Sequence, residues 1–234
     1  MKTALLLRGH NMLEKDRFGF PMDSRVCIDA FLKQILLPLQ AQHEVKLYFV
    51  TYDSPALTAW IDATAPERVM LLDVNKSSQI STYSHGLKEI HDAKSGFDCI
   101  IALRFDLLYL KNFDDWNVKL DDSTLFFCWR EYLAYWRDHR RVGDTIHIIG
   151  RKALPAFFNA LQCVGILRPN MHLMYYIVST LYGKIAFIED GYWDSNTLYN
   201  IPEAFNPIYQ ICNRPRLDIA PSSYDKIIPE IQAP

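Results

Sequence analysis

The strongest constraint on the fold is an alternation, over the first hundred residues, of short apolar runs with segments of helical spacing. The apolar runs predict four strands, at residues 3–7, 45–51, 69–72 and 97–103. Helices are predicted between them, one with Ser24 as its N-cap and one with Pro55 in its first turn. Apolar strands that alternate with helices favour a mainly parallel sheet with helices on both faces. The predicted fold class is therefore α/β, with three layers in the order α/β/α and a mostly parallel central sheet.

Beyond Asp106 the alternation becomes less regular, but strands and helices are still predicted. The strands are expected at 124–129, 145–149 and 185–188. The helices are expected at 153–164 and 171–181, in addition to one at 79–94 before the fourth strand. From residue 202 onward little periodicity remains, and an extended tail over the surface is predicted. No internal repeat, low-complexity block or linker interrupts the chain, so residues 1–234 are predicted to form a single domain.

Composition excludes several classes of protein. Half of the 234 residues are hydrophobic and the net charge is −2, which argues against disorder and against a basic field that holds nucleic acid. The apolar runs are too short or too broken to span a bilayer. Residues 1–7 resemble a secretory signal only faintly, because Arg8 and His10 end the apolar stretch, and a first core strand is the better interpretation.

Five cysteines are scattered along the chain without a CxxC pair or a short-range cluster with histidine. They are Cys27, Cys99, Cys128, Cys163 and Cys212. The odd count and the apolar surroundings favour reduced thiols over disulfides or a zinc site. A cytoplasmic location is the resulting expectation.

Polar residues follow three of the predicted strands at the point where each strand ends. Arg8-Gly9-His10 follows the first, Tyr52-Asp53 the second and Arg104-Phe105-Asp106 the fourth. Ligands of open parallel sheets bind at the carboxyl ends of the strands, so these loops are expected to meet around one pocket. Cations, carboxylates and an aromatic ring together suit a nucleoside diphosphate, whose base stacks and whose phosphates need positive charge.

Four stretches resemble a group of bacterial and large-DNA-virus proteins that are similar to glycosyltransferases of the GT-A type. They are residues 4–10, 45–53, 100–108 and 142–150, so the resemblance covers roughly the first 150 residues. It implies a GT-A-like, Rossmann-like fold and transfer of a sugar from a nucleotide-diphosphate donor to a hydroxyl of a glycan or glycoconjugate. It also implies a nucleotide-sugar-binding half at 1–110 and an acceptor-side half at 111–234.

The same resemblance implies roles for individual residues. Tyr52 and Asp53 would hold the nucleoside. The diphosphate would be faced by Arg8, Gly9, His10 and Arg104. Asp106, which takes the second place of the Asp-x-Asp motif of the GT-A type, would hold a divalent cation, Mn²⁺ or Mg²⁺.

The motif departs from the family at its first acidic position, where this chain has Arg104. One carboxylate with phosphate oxygens and water is still a reasonable set of ligands for Mg²⁺ or Mn²⁺. Alternatively, Arg104 itself neutralises the diphosphate and the metal is dispensable. A third interpretation is a purely structural ion pair of Arg104 with Asp106 at the end of the strand.

Two carboxylates are candidates for the base that deprotonates the acceptor hydroxyl. Asp190 follows the predicted strand at 185–188 beside aromatic residues, and Asp144 precedes the strand at 145–149. Both also fit simple turn residues. The aromatic and basic segment at 129–141 is expected to be a lid or an acceptor-binding loop, with a solvated surface as the alternative.

Two other functions stay open at the level of sequence. A nucleotidyltransferase acting on a sugar phosphate needs a similar sheet, but Arg8-Gly9-His10 is a poor version of its glycine-rich loop. A module that binds a nucleotide-sugar or glycan without turnover is compatible with the missing acid at Arg104.

Overall fold

The computed structural model describes residues 1–16, 19–93, 96–131, 133–167, 170–193 and 208–213. The strands are β1 Lys2–Arg8, β2 Met12–Leu13, β3 Met22–Asp23, β4 Glu44–Thr51, β5 Arg68–Leu71, β6 Cys99–Arg104, β7 Leu107–Tyr109, β8 Leu125–Phe127, β9 Arg130–Glu131, β10 His147–Gly150, β11 Ile185–Phe187, β12 Tyr192–Trp193 and β13 Tyr209–Ile211. The α-helices are α1 Ile28–Phe31, α2 Leu37–Gln42, α3 Pro55–Thr64, α4 Gln79–Asp92, α5 Leu133–His139, α6 Leu154–Leu167 and α7 Met174–Leu181.

A seven-stranded sheet in the order β11-β8-β10-β6-β1-β4-β5 forms the centre of the fold. Four of its neighbouring pairs are parallel, and β10 alone runs antiparallel to both of its neighbours, β6 and β8. The predicted mostly parallel sheet is confirmed. Because strands from both 1–110 and 111–234 pair in this one sheet, the two predicted halves share a single backbone framework.

Helices cover both faces of the sheet. Successive residues of a strand point to opposite faces, so each buried strand contributes to two cores. Leu5, Phe49 and Ile101 belong to one core, which contains side chains of α1 and α3 such as Phe31 and Trp60. The residues one position along, Leu6, Val50 and Ala102, belong to a second core, which contains side chains of α4, α6 and α7. The predicted α/β/α layering is therefore confirmed.

The first helical segment differs from its prediction in its first residue and in the regularity of its turns. Ser24 is not the N-cap: Asp23 takes that position and accepts from the Arg25 amide, while buried Ser24 accepts a hydrogen bond from the Trp60 indole. A 3₁₀ turn Ser24–Cys27 and a π-helical turn Leu32–Leu36 interrupt regular α-helix. The π turn precedes Pro38, which has no amide hydrogen to donate to a carbonyl four residues earlier.

The chain beyond β12 contributes one further described segment to the fold. Residues 208–213 contain β13, which pairs antiparallel with β7, and the Cys212 amide donates to the Asp106 carbonyl at 2.9 Å. The rest of the tail predicted from residue 202 lies outside the described residues. Within the described parts of the chain, no helix is long and apolar enough to cross a membrane.

The side of β1 on which successive strands are added to the sheet changes, and this change in strand order creates the site. From β1 the chain adds β4 and β5 on one side, then returns to place β6 on the other. A crevice forms outside the carboxyl ends of strands at such a switch point. Arg8 and Arg104, the last residues of β1 and β6, are register partners at this edge.

Candidate functional site

A cavity of about 350 Å³ lies at the carboxyl edge of the sheet, beside the switch point. Seven of the nine predicted site residues line it: Arg8, Gly9, His10, Tyr52, Arg104, Asp106 and Asp144. The expected convergence of three strand ends is thus present. Gly9 makes the turn out of β1 at φ +92°, a backbone conformation that any side chain would strain.

Arg8 brings a buried positive charge to the wall of the cavity. Only 1% of the residue is exposed, and its guanidinium lies 3.7 Å from the centre of the Tyr83 ring. Its Nη2 donates to the backbone carbonyl of Asp144 at 2.7 Å. Its Nε is buried and has no hydrogen-bond partner among the described residues. A buried donor left unpaired is costly, and the buried charge of Arg8 favours an anion in the adjoining cavity.

Arg104 and Asp106 form a bidentate ion pair across the turn between β6 and β7. Nε of Arg104 donates to Oδ1 of Asp106 at 2.8 Å, and Nη2 donates to Oδ2. Nη1 lies 3.8 Å from Oδ1 of Asp144. Burial lowers the pKa of Arg104, but Asp106 and Asp144 outweigh burial and hold this pKa above its usual value. The pair predicted as one alternative is present, and it lines the cavity.

Asp144 reaches the site because β10 is antiparallel. A residue that precedes an antiparallel strand lies at the same edge as residues that follow the parallel ones. Its Oδ2 accepts from Gln79 at 2.7 Å and lies 3.9 Å from Nε2 of His172. Burial raises the pKa of Asp144, but His172, Arg104 and the Gln79 hydrogen bond lower it further, well below its ordinary range. A carboxylate with such a low pKa is a weak proton acceptor.

His10 and Tyr52 place two rings together at one side of the cavity. Their ring centres lie 4.5 Å apart with 35° between the planes. Burial lowers the pKa of His10 although Asp106 opposes the shift, which favours the neutral form of the ring. A flat apolar surface of this kind suits the base of a nucleotide.

Two predicted residues do not line the cavity. Asp53 follows Tyr52 but is exposed. The side chain of Asp190 is 92% exposed and lies 3.9 Å from Nη1 of Arg130. Its strand, β11, is the edge of the sheet, three strand spacings or about 14 Å from β6. Its role as a base stays a prediction that no contact with the cavity supports.

Several residues that line the cavity were not singled out from sequence. Ser77, Ser78 and Gln79 stand at the start of α4, a 14-residue helix whose capping box is formed by Ser78 and Ser81. Such a capping signal is readable from sequence. His172 precedes α7, and its Nδ1 contacts the Val142 carbonyl at 2.8 Å. No local pattern marks His172, because a distant part of the chain brings it here.

The arrangement around Asp106 does not fit a divalent cation. Both oxygens of Asp106 are held by Arg104, and the Arg8 guanidinium lines the same cavity. Among the residues that the structure describes, no three His, Cys, Asp or Glu side chains form a group able to bind a metal. Hard cations need several oxygen ligands, and two neighbouring guanidinium groups repel them.

No known family profile and no curated protein matches this chain. Solved structures are similar to it in fold. One is the galactosyltransferase LgtC in complex with donor and acceptor sugar analogues, with a TM-score of 0.48 and 11% identity over 81% of this chain and 73% of that one. Another is mouse xyloside xylosyltransferase 1, with a TM-score of 0.47 and 11% identity over 81% of this chain and 85% of that one.

A third similar structure is WbbM, a bifunctional glycosyltransferase, with a TM-score of 0.49 and 9% identity over 79% of this chain and 38% of that one. The identities of all three structures are low, and what they act on is a property of those proteins. The α/β/α fold of this chain follows from its own strand order and register.

Proposed function

We propose that this protein transfers a sugar from a nucleotide-diphosphate donor to a hydroxyl of a glycan or glycoconjugate. The observation that supports this is the set of side chains that line one cavity at the switch point of the sheet. Four separate parts of the chain supply two guanidinium groups, a pair of aromatic rings and the largely buried carboxylate of Asp144. The volume, about 350 Å³, lies within the range of small-molecule sites.

Each part of such a donor has a chemically suitable partner in the cavity. The rings of His10 and Tyr52 offer a surface for the base. The guanidinium groups of Arg8 and Arg104 can donate two parallel hydrogen bonds to phosphate oxygens. The carboxylate of Asp144 suits sugar hydroxyls, which donate to it. Its low pKa makes it better suited to binding than to accepting a proton.

A module that binds the donor without turnover remains the second candidate. The observation that favours it is the ion pair of Arg104 with Asp106, which stands where the family carries metal-binding acids. The two candidates differ in turnover alone. Release of nucleoside diphosphate together with a newly glycosylated acceptor supports the transferase, and binding without release supports the module.

The donor site is tested by a pair of adjacent variants. Tyr52→Leu removes the ring and keeps an apolar side chain, and loss of base stacking of about 1–3 kcal/mol should weaken donor binding about 5- to 160-fold. Asp53→Ala, at the exposed neighbouring position, should leave binding unchanged. Calorimetric titration with a panel of nucleotide sugars measures both.

Two outcomes would contradict this assignment of the base to Tyr52 alone. Equal affinity of Tyr52→Leu and the wild type would show that the base does not stack on Tyr52. An equal loss in Asp53→Ala would instead assign the nucleoside to both Tyr52 and Asp53, as the sequence predicted. Thermal unfolding of each variant checks that both are folded.

A further inference from the structure

Two positive charges converge at the end of the sheet where the donor diphosphate is proposed to bind. Arg8 and Arg104 are register partners on the adjacent parallel strands β1 and β6, and both line the cavity. The backbones of parallel neighbours lie about 4.8 Å apart, so the two side chains start from adjacent positions at one edge of the sheet. The spacing is imposed by the sheet and does not depend on a flexible loop.

The two arginines differ in how their charge is balanced. Arg104 pairs with Asp106 on one side and lies 3.8 Å from Asp144 on the other. Arg8 donates to a neutral carbonyl and lies over the Tyr83 ring, and its Nε is left without a described partner. A buried guanidinium that donates to a neutral carbonyl is stabilised by an anion that enters the cavity.

The first turn of α4 adds to this positive end of the cavity. Ser77, Ser78 and Gln79 line the same wall. The N-terminus of a 14-residue helix carries a partial positive charge and attracts phosphate groups. Its contribution supplements the two arginines, since the Ser78 hydroxyl already caps the amide of Ser81.

We infer that Arg8 and Arg104, and not a divalent cation, neutralise the diphosphate when it leaves the sugar. This inference rests on the proposed transferase function. Asp106, with both oxygens bonded to Arg104, then acts as a positioning residue that orients the guanidinium. This positioning role replaces the role of metal ligand that the sequence implied for Asp106.

The chemical step balances without a metal. The bond between the anomeric carbon and the diphosphate oxygen breaks, and its electron pair stays on that oxygen. The acceptor oxygen forms the new bond to the anomeric carbon, and its proton passes to a base or to water. Hydrogen bonds from the guanidinium groups strengthen as negative charge grows on the leaving group, which lowers the barrier.

The test measures binding of nucleoside diphosphates to the full chain by calorimetry, in EDTA and in excess Mn²⁺. The probes are the uridine, guanosine, cytidine, adenosine and thymidine diphosphates. We expect one of them to bind with the same dissociation constant in both buffers. Arg104→Gln should weaken that binding about 10- to 100-fold in both, since it loses charged hydrogen bonds.

Two further variants make the result specific. Arg104→Lys keeps the charge but loses the planar fork, and we expect intermediate affinity. Arg25→Gln is the matched control, because Arg25 also pairs with an aspartate two residues away, Asp23, but does not line the cavity. Its affinity should equal that of the wild type. Thermal unfolding of every variant checks the fold.

The outcomes separate the two proposals. Binding that EDTA abolishes and Mn²⁺ restores overturns the arginine assignment and leaves the transferase proposal standing. Wild-type affinity in Arg104→Gln also overturns it. Failure of all five nucleoside diphosphates and their sugar derivatives to bind in either buffer overturns the proposed function, and the inference with it.

Discussion

His147 is a fully buried histidine that the fold keeps neutral. Its Nδ1 shares a hydrogen bond of 2.5 Å with the Tyr83 hydroxyl, and the rings of Phe127 and Phe157 pack against it. Burial, and after it the charge of Arg8, lowers the pKa of His147 to about 3 from its ordinary 6.5. The Tyr83 ring thus lies between a permanent cation and a neutral imidazole.

This lowered pKa predicts a pH-dependent contribution to stability. Below pH 6.5 the unfolded chain binds a proton on this imidazole that the folded chain does not. Its contribution to the free energy of unfolding therefore falls as pH falls from 6.5 towards 3, by up to about 1.4 kcal/mol per pH unit. His147→Gln removes the effect, so the variant should gain stability relative to the wild type as pH falls. Urea unfolding of both proteins at successive pH values measures the difference, and a constant difference contradicts the prediction.

At the scale of elements, β10 decides which loops reach the cavity. It lies between β6 and β8 and runs against both, so Asp144 and Thr145 before it stand at the functional edge. Its other end, Gly150, passes close to the turn before β8. A Cβ atom on Gly150 would lie 2.6 Å from the backbone of Asp122 and Ser123.

Gly150→Ala is therefore expected to destabilise the protein. The opposing atoms belong to the backbone and cannot rotate away, and such overpacking costs about 1–3 kcal/mol. Gly183→Ala is the matched control, because no atom lies within 4 Å of its added Cβ, and its effect should stay within about 0.5 kcal/mol. Urea unfolding compares the three proteins, and equal stability of all three would show that this turn yields freely.

At the scale of the molecule, the cavity is assembled by residues far apart in the chain. Arg8 and His10 come from the first turn, and Ile211 and Asn213 from the last described segment. The Tyr209 hydroxyl joins that segment to Thr145 through a hydrogen bond of 2.5 Å. A ligand in this cavity contacts both of the predicted halves, so its binding energy stabilises the whole sheet.

Ligand binding should therefore shift one thermal transition of the entire protein. At a concentration about 100-fold above the dissociation constant, a ligand of the native state stabilises it by about 2.7 kcal/mol. For a chain of this size the melting temperature should rise by about 5–10 °C. Calorimetry with the best-binding nucleoside diphosphate measures this shift. Two transitions of which only one moves would show that 1–110 and 111–234 unfold separately.

Much of the fold and part of the site follow from local patterns. Runs of apolar residues predict the central strands, and residues that follow parallel strands share one edge of the sheet. Arg8, His10, Tyr52 and Arg104 are found on that basis, because each stands at the end of its own strand or in the loop that follows it.

Pairing between distant segments is not encoded in any local pattern. Asp190 and Asp144 look alike as residues beside strands, yet β11 is the edge strand and β10 is central, so only Asp144 lines the cavity. Likewise, the Arg104 side chain turns onto Asp106, so both oxygens of the carboxylate predicted to bind a metal accept hydrogen bonds from a guanidinium. Strand order and side-chain pairing minimise the energy of the whole chain, and for that reason only the folded structure reveals them.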